Sequence, residues 1–326
     1  MRQPRIKIQL RGSYYHVMNR ITGDPEEYPF TDADKEFFIN LMGKLASFYT
    51  VDIISYCIMG NHFHIIFHIP GEILSRPATV ERYNTYYEEN DKVADLNYHG
   101  DVETSEWMLA KIDSTRSKMR DLSCFMSALQ KQYTTWYNDH HHRRGSLWGG
   151  RFKSVVLEGD LALWNCAKYV ELNPVRAKMV KDPGDYKHST WGFWKRTGIC
   201  MFDEPLRKHL SRSIGHPDWD WSRIAEKFSL SMQRTMSYQD KRVPGWEHAE
   251  KDWHGAVEKV EQGRSSIFDI ESNEKVRHFS SGLILGCESF VRSVAAEAYG
   301  LERAQSKRLD KLTTKNSELF SYNQAR

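Results

Sequence analysis

The chain has 326 residues, of which 40% are hydrophobic and 13% aromatic, and its formal net charge is +3. This length suffices for two ordinary domains, and no apolar run approaches a membrane span. The five cysteines are scattered, which argues against a zinc site or a disulfide framework. The basic N-terminus lacks the apolar stretch of a secretory signal, so we expect a cytoplasmic protein with no membrane partner.

Charge is unevenly distributed along the chain. Residues 71–121 contain 7 Lys/Arg against 11 Asp/Glu, whereas residues 122–200 contain 12 against 6. A basic block beside an acidic one indicates a local surface for a polyanion. The alternative, an ordinary solvated face with uneven charge, fits the same numbers.

The hydrophobic pattern predicts strands and helices in alternation over the first half of the chain. In order, they are a strand over 14–19, a helix from 31, strands over 51–59 and 62–69, a helix over 105–138, a glycine-kinked strand over 146–157 and a helix over 160–172. Gly60-Asn61 is a tight-turn signal and predicts a hairpin between the second and third strands. A hairpin flanked by helices is typical of a ferredoxin-like α+β sandwich.

The composition changes near residue 200 and predicts two regions. We expect 1–198 to form the α+β domain and 199–326 a mostly helical C-terminal accessory region. Residues 71–105 are polar, acidic and weakly periodic, which indicates an insertion or a mobile loop in the first domain.

Two histidines one residue apart, His62 and His64, lie in the otherwise apolar strand over 62–69. Side chains alternate along a strand, so both imidazoles point to one face and can chelate one divalent cation. Residues at the intervening positions, such as Phe63, can then pack a core on the other face. We expect the histidines on the open face that an antiparallel sheet can leave, with His68 outside the ligand set. The alternative is a pair of polar residues that bind no metal.

A second constellation lies on the helix predicted from Asp160. Tyr169 and Asn173 are spaced i and i+4 and therefore share one helix face. An amide oxygen is a hard ligand suited to Mg²⁺ or Mn²⁺. A tyrosine hydroxyl can be a nucleophile once its ionisation is assisted. The alternative for Tyr169 is a buried residue of an amphipathic helix.

These motifs together resemble a known family. Residues 61–64 (Asn-His-Phe-His), followed about a hundred residues later by 169–177 (Tyr-Val-Glu-Leu-Asn-Pro-Val-Arg-Ala), closely resemble the single-tyrosine HUH transposases of bacterial insertion sequences. The chain is most similar to their REP-associated tyrosine transposase branch, and 148–152 and 186–191 also match it. The resemblance covers roughly residues 10–197, while the longer acidic segment and the C-terminal region depart from the family's pattern.

The resemblance implies an HUH endonuclease fold over 1–198, with His62, His64 and Asn173 as ligands of Mg²⁺ or Mn²⁺ and Tyr169 as the nucleophile. It implies a transposase that cuts single-stranded DNA beside a hairpin of the repetitive palindromic type. The 5′ end is kept as a phosphotyrosine until a 3′-hydroxyl rejoins the strand. Such an enzyme would be associated with the nucleoid, either as a monomer or as a homodimer.

Basic and aromatic residues near these motifs are candidate DNA contacts. Arg151, Lys153 and Arg176 could bind phosphates, and Trp148 could stack on an unpaired base. Two other functions fit the sequence. One is a domesticated, non-mobile protein that binds single-stranded or hairpin DNA without strand transfer, and the other is a metallohydrolase that uses water while Tyr169 is a bystander.

Overall fold

The computed structural model describes residues 5–8, 12–24, 29–240, 278–312 and 319–323. Its helices and strands confirm the predicted α+β class. They are β1 (Ser13–Arg20), α1 (Asp32–Phe48), β2 (Asp52–Ile58), β3 (His62–Ile69), α2 (Arg76–Glu88), α3 (Glu106–Met119), α4 (Leu122–His140), β4 (Lys153–Leu157), α5 (Leu161–Glu171), α6 (Asn173–Arg176), α7 (Thr190–Thr197), α8 (Asp203–Ser213), α9 (Trp221–Asp240), α10 (His278–Ser281), β5 (Gly282–Gly286), α11 (Glu288–Tyr299), α12 (Leu301–Ser306), β6 (Asp310–Lys311) and β7 (Phe320–Asn323). Among these helices, none combines the length and the apolar character needed to cross a membrane.

The chain divides into two compact units. The N-terminal unit comprises Ile8–Lys153 and Asn173–Pro205, and the C-terminal unit comprises Met1–Lys7, Ser154–Leu172 and Leu206–Arg326. This grouping differs from a division at residue 198, because residues of β4 hydrogen-bond to β5, which lies beyond residue 280. Separate domains over 1–198 and 199–326 stay a prediction.

The N-terminal unit is built on three antiparallel strands in the order β2-β3-β1. The predicted hairpin is confirmed, with Ile58 of β2 opposite Phe63 of β3. On its other edge, β3 pairs with β1 along its whole length, from Ser13 opposite Ile69 to Arg20 opposite His62. The central position of β3 fixes the direction of every side chain that it carries.

One face of β3 packs against α1 and α4, as the alternation of the sequence predicts. Phe63 lies 5.1 Å from the ring of Phe38 on α1, and Phe67 lies 5.1 Å from that of Phe125 on α4. All four rings are fully buried, which contributes about 2 kcal/mol or more each to stability. Helix α1 begins where the sequence predicts, because Thr31 and Asp34 form a capping box.

Two helices replace the single helix predicted over 105–138. The chain breaks at Arg120 and Asp121, where the Asp121 carboxylate accepts hydrogen bonds from the N–H groups of Ser123 and Cys124 and starts α4. The predicted loop over 71–105 contains α2, which is capped by Ser75 and packs on α3 around Tyr83, Leu96 and Ile112. The acidic segment is therefore part of a packed helical hairpin.

The C-terminal unit contains helices, as predicted for the end of the chain, and also a sheet. Strand β4 pairs in parallel with β5, at Val156 opposite Ile284. Antiparallel pairing then adds β7 to β5 and β6 to β7. The helix predicted over 160–172 is α5, and it ends at Glu171.

Arg82 on α2 holds the end of α1. Its guanidinium donates to three carbonyls at the C-terminus of α1, those of Ala46, Phe48 and Tyr49, at 2.7–2.9 Å. Because a helix C-terminus carries partial negative charge and unpaired carbonyls, a half-buried cation that bonds to them is stabilising. We expect Arg82→Met to lower the free energy of unfolding by about 2–4 kcal/mol, as measured by urea denaturation.

The matched control is Arg76→Met on the same helix. Arg76 forms its ion pairs with Asp101 and Asp113, whose carboxylates are largely exposed. Exposed ion pairs contribute little, so this change should lower the free energy of unfolding much less than Arg82→Met does. Equal losses in the two variants would show that Arg82 has no special role at the end of α1.

Candidate functional site

The face of β3 opposite the aromatic core carries the two predicted ligands. His62 and His64 lie side by side with ring centroids 5.2 Å apart and ring planes nearly perpendicular, at 86°. The antiparallel register places Arg20 of β1 opposite His62, and Met18 opposite His64. The structure thus brings the two histidines together, as their spacing predicts.

His64 is held by a third histidine, His16 of β1. The His16 Nε2 and His64 Nδ1 atoms lie 3.0 Å apart, and the two rings stack with centroids 5.1 Å apart. His16 has no exposed surface, and His64 is only 5% exposed. One of the two nitrogens must carry the shared proton, so this contact couples the tautomers of the two rings.

His62 is held by its neighbour Asn61. The Asn61 Oδ1 and His62 Nδ1 atoms are 2.6 Å apart, so the imidazole donates its Nδ1 proton to the amide oxygen. Asn61 is itself buried, and its main-chain carbonyl accepts from Ile21 N–H at 3.0 Å. Both candidate ligands therefore have their Nδ1 atoms engaged by neighbouring side chains.

Burial keeps both candidate ligands uncharged. It lowers the pKa of His62 to about 4, with a smaller contribution from the charge of Arg20. Burial also holds the pKa of His64 well below its usual range, and lesser contributions come from the charges of His16, His62, Arg176 and Arg20. Neutral imidazole is the form that binds a metal.

The histidines do not lie on an open face, contrary to the sequence-based expectation. His64 is buried and His62 is half-buried, while Ile66 between them and His68 has no exposed surface. The expectation failed because antiparallel pairing permits an exposed face without requiring one. A buried position strengthens the electrostatic interactions of any ion held there.

Asn173 does not share a continuous helix with Tyr169. Helix α5 ends at Glu171, Leu172 terminates it, and Asn173 opens the short helix α6, where Pro174 follows. Asn173 is buried, and its carbonyl accepts from Ala177 N–H at 2.9 Å. The charge of Arg176 on α6 lowers the His64 pKa, so α6 lies in the electrostatic neighbourhood of the pair. Ligation by the Asn173 amide stays a prediction.

Tyr169 lies in the C-terminal unit, whereas His62, His64 and Asn173 lie in the N-terminal unit. Its ring is half-buried on α5 and stacks on the ring of Phe279, with centroids 5.3 Å apart. Its approach to the histidine pair stays a prediction.

The four candidate DNA contacts differ in accessibility. Arg151 and Lys153 are exposed and Arg176 is half-buried. Trp148 is 9% exposed, packs against the rings of Phe38, Phe63 and Tyr133, and donates its indole N–H to the Gln130 carbonyl at 3.3 Å. Its position gives Trp148 a packing role in the core, which differs from the predicted stacking on a base.

A second pair of metal-type donors joins β3 to its neighbour β2. The His68 Nδ1 atom lies 2.9 Å from the Asp52 carboxylate of β2. The register of the two strands places these residues opposite each other. That His68 lies outside the metal-ligand set stays a prediction. The contact with Asp52 makes His68 the natural comparison for experiments on the His62–His64 pair.

Sequence patterns predicted no role for His16 and only a turn at Asn61. His16 lies within the predicted first strand, so the alternation of side chains predicts which neighbours share its face. Its partner on β3, however, depends on the register between β1 and β3. That register joins residues 48 positions apart and is not encoded in any local pattern. The Asn61 contact could have been suggested by its place next to His62.

Comparisons with known proteins leave the family unassigned. No family model matches the chain, and no curated protein matches it. A solved structure of a REP-associated tyrosine transposase bound to a REP hairpin aligns over 61% of this chain and 88% of its own, with 15% identity and a TM-score of 0.40. That likeness is too low to assign a family, which stays a resemblance of motifs.

The lowered pKa of His62 predicts a pH dependence of stability. Unfolded histidine titrates near 6.5, so between pH 6.5 and 4 the unfolded chain binds more protons than the folded one. Stability should therefore be complete above pH 6.5 and fall as the pH is lowered. We expect His62→Gln to reduce the slope of unfolding free energy against pH by up to about 1.4 kcal/mol per pH unit, measured in urea with a chelator present. An unchanged slope would show that His62 is not buried as described.

Proposed function

We propose that this protein is a metal-dependent DNA strand transferase. It would cut and rejoin single-stranded DNA beside a hairpin, with Tyr169 as the nucleophile. His62, His64 and the Asn173 amide would hold Mg²⁺ or Mn²⁺. The observation that supports this most is the pair of neutral imidazoles on β3, one buried and one half-buried, each hydrogen-bonded through Nδ1.

The geometry of the pair fits a shared cation. Two imidazoles bound to one ion through bonds of about 2.1 Å, at an octahedral or tetrahedral angle, have ring centroids roughly 5 Å apart. The observed separation is 5.2 Å. Because both Nδ1 atoms are engaged, Nε2 is the ligating atom of each ring. A ligating histidine commonly donates its other ring proton to a neighbour, which fixes its orientation.

The bound ion would supply Lewis acidity and a positive charge for a phosphate oxygen. Two neutral imidazoles and an amide leave that charge unreduced. The Tyr169 oxygen then forms a bond to the phosphorus, and the bond from phosphorus to the 3′ oxygen breaks. The phenol loses its proton, and the departing 3′ oxygen gains one. The phosphotyrosine conserves the ester bond, so a 3′-hydroxyl can later reverse the step without a nucleotide cofactor.

Two exposed basic side chains and the resemblance of the motifs support DNA as the partner. Arg151 precedes β4 and Lys153 is its first residue, and both side chains are exposed and could neutralise phosphates. The proposed substrate is a hairpin of the repetitive palindromic type with a single-stranded flank. Both a monomer and a homodimer are compatible with this proposal.

Covalent capture tests the nucleophile. The wild-type protein, incubated with a labelled hairpin and Mn²⁺, should give a protein–DNA band that survives denaturation, and Tyr169→Phe should abolish it. The matched control is Tyr299→Phe, which makes the same change at a half-buried tyrosine of the same unit and should keep the band. Cleavage that persists in Tyr169→Phe would instead indicate a hydrolase that uses water. Salt-dependent hairpin binding with no cleavage at all would indicate a DNA-binding protein without strand transfer.

Mn²⁺ binding tests the ligands separately from turnover. We expect His62→Ala and His64→Ala each to weaken Mn²⁺ binding more than about tenfold by calorimetry, because each removes a ligand. His68→Ala is the control on the same strand and should leave the affinity within about twofold. Loss of binding in His68→Ala alone would move the metal to the Asp52–His68 pair.

A further inference from the structure

The ring of Tyr169 has a specific partner in the C-terminal unit. Phe279 of α10 stacks on it with centroids 5.3 Å apart and ring planes 28° apart. Phe279 is 1% exposed, so its own position is set by packing. A half-buried tyrosine therefore rests with one face against a buried ring that belongs to a distant part of the chain.

Helix α9 of the same unit also contacts the turns of α5 that precede Tyr169. Trp164 donates its indole N–H to the Ser231 hydroxyl of α9 at 3.2 Å, and its ring meets that of Phe228 edge to face at 5.1 Å. One turn further, Lys168 donates to the Thr235 hydroxyl at 3.4 Å. The second pair lies four residues after the first on both helices. Successive turns of α5 therefore contact successive turns of α9.

Helix α10, which carries Phe279, is joined to a strand with several close contacts. Helix α10 runs directly into β5, which pairs in parallel with β4 just before α5. At the other end of β5, the Glu158 carboxylate accepts from Cys287 N–H at 2.6 Å. A Cβ on Gly282 would lie 2.5 Å from the His278 carbonyl, so only glycine allows the close junction of α10 and β5.

We propose that Phe279 is a positioning residue for Tyr169, and that the C-terminal unit is thereby part of the catalytic apparatus. This rests on the proposed nucleophilic role of Tyr169. A tyrosine side chain on a helix can occupy more than one staggered well of χ1, whereas in-line attack on phosphorus requires one orientation of its oxygen. The stack with Phe279 restricts that torsion before DNA arrives. The C-terminal region then acts on the rate of the chemical step and not on DNA affinity.

The test uses Phe279→Leu in the full chain, which keeps an apolar side chain of somewhat smaller volume but removes the flat ring. Under single-turnover conditions with excess Mn²⁺ and hairpin, we expect adduct formation to slow 10- to 100-fold. The dissociation constant for the hairpin should change less than about twofold. Tyr322→Leu is the matched control, because Tyr322 is a buried ring of the same unit that stacks on Tyr299 instead. It should keep the wild-type rate.

A second measurement is independent of activity. With 3-fluorotyrosine incorporated at position 169, the ¹⁹F resonance should shift and change in width in Phe279→Leu, since the neighbouring ring current and restraint are lost. It should stay unchanged in Tyr322→Leu. Phe279→Met provides the same comparison if the leucine variant does not fold.

The outcomes separate this inference from the proposed function. If the wild-type protein forms no adduct, the nucleophilic role fails, while the ¹⁹F spectrum still reports whether Phe279 restrains the ring. If the wild-type protein forms an adduct and Phe279→Leu keeps both its rate and its ¹⁹F signal, positioning by Phe279 is overturned. A slowed rate that comes entirely from weaker hairpin binding would also overturn it.

Discussion

Strand β3 is paired on both edges and covered on both faces, and this burial governs what its histidines can do. A charged imidazole is costly at such a position, so His62 and His64 remain neutral and each needs a hydrogen-bond partner. Asn61 and His16 supply those partners at 2.6 and 3.0 Å. Burial, which is energetically costly for most polar residues, therefore keeps both imidazoles uncharged and able to donate a nitrogen lone pair to a metal.

Helix α5 is governed by a different set of contacts. Its indole, ammonium and phenol groups meet side chains from residues 228–235 and from Phe279, all of them far along the chain. A domain that ended near residue 198 would lack every one of these contacts. The C-terminal region is therefore a structural partner of the helix that carries Tyr169, whatever else it binds.

Local patterns predicted the elements of the fold well. Alternation placed Phe63 and Phe67 in the core, and turn chemistry at Gly60-Asn61 placed the hairpin. Long-range contacts were beyond such patterns. The spacing of apolar residues runs unbroken through Asp121, yet that carboxylate caps a new helix. Likewise, the spacing of Tyr169 and Asn173 predicts one helix face, but α5 ends at Glu171. Pro174 has no N–H to donate, so α5 cannot continue through it with regular hydrogen bonds. The role of His16 depends on strand register, which no local signal specifies.

Anomalous diffraction at the manganese edge, from crystals grown with Mn²⁺, tests most directly whether the two histidines form a metal centre. We expect one strong peak roughly 2 Å from the Nε2 atoms of both His62 and His64, with each Nδ1 still bonded to its present neighbour. A peak bound instead by Asp52 and His68, or rings of His62 and His64 turned so that their Nε2 atoms diverge from a common ion, would contradict the proposal.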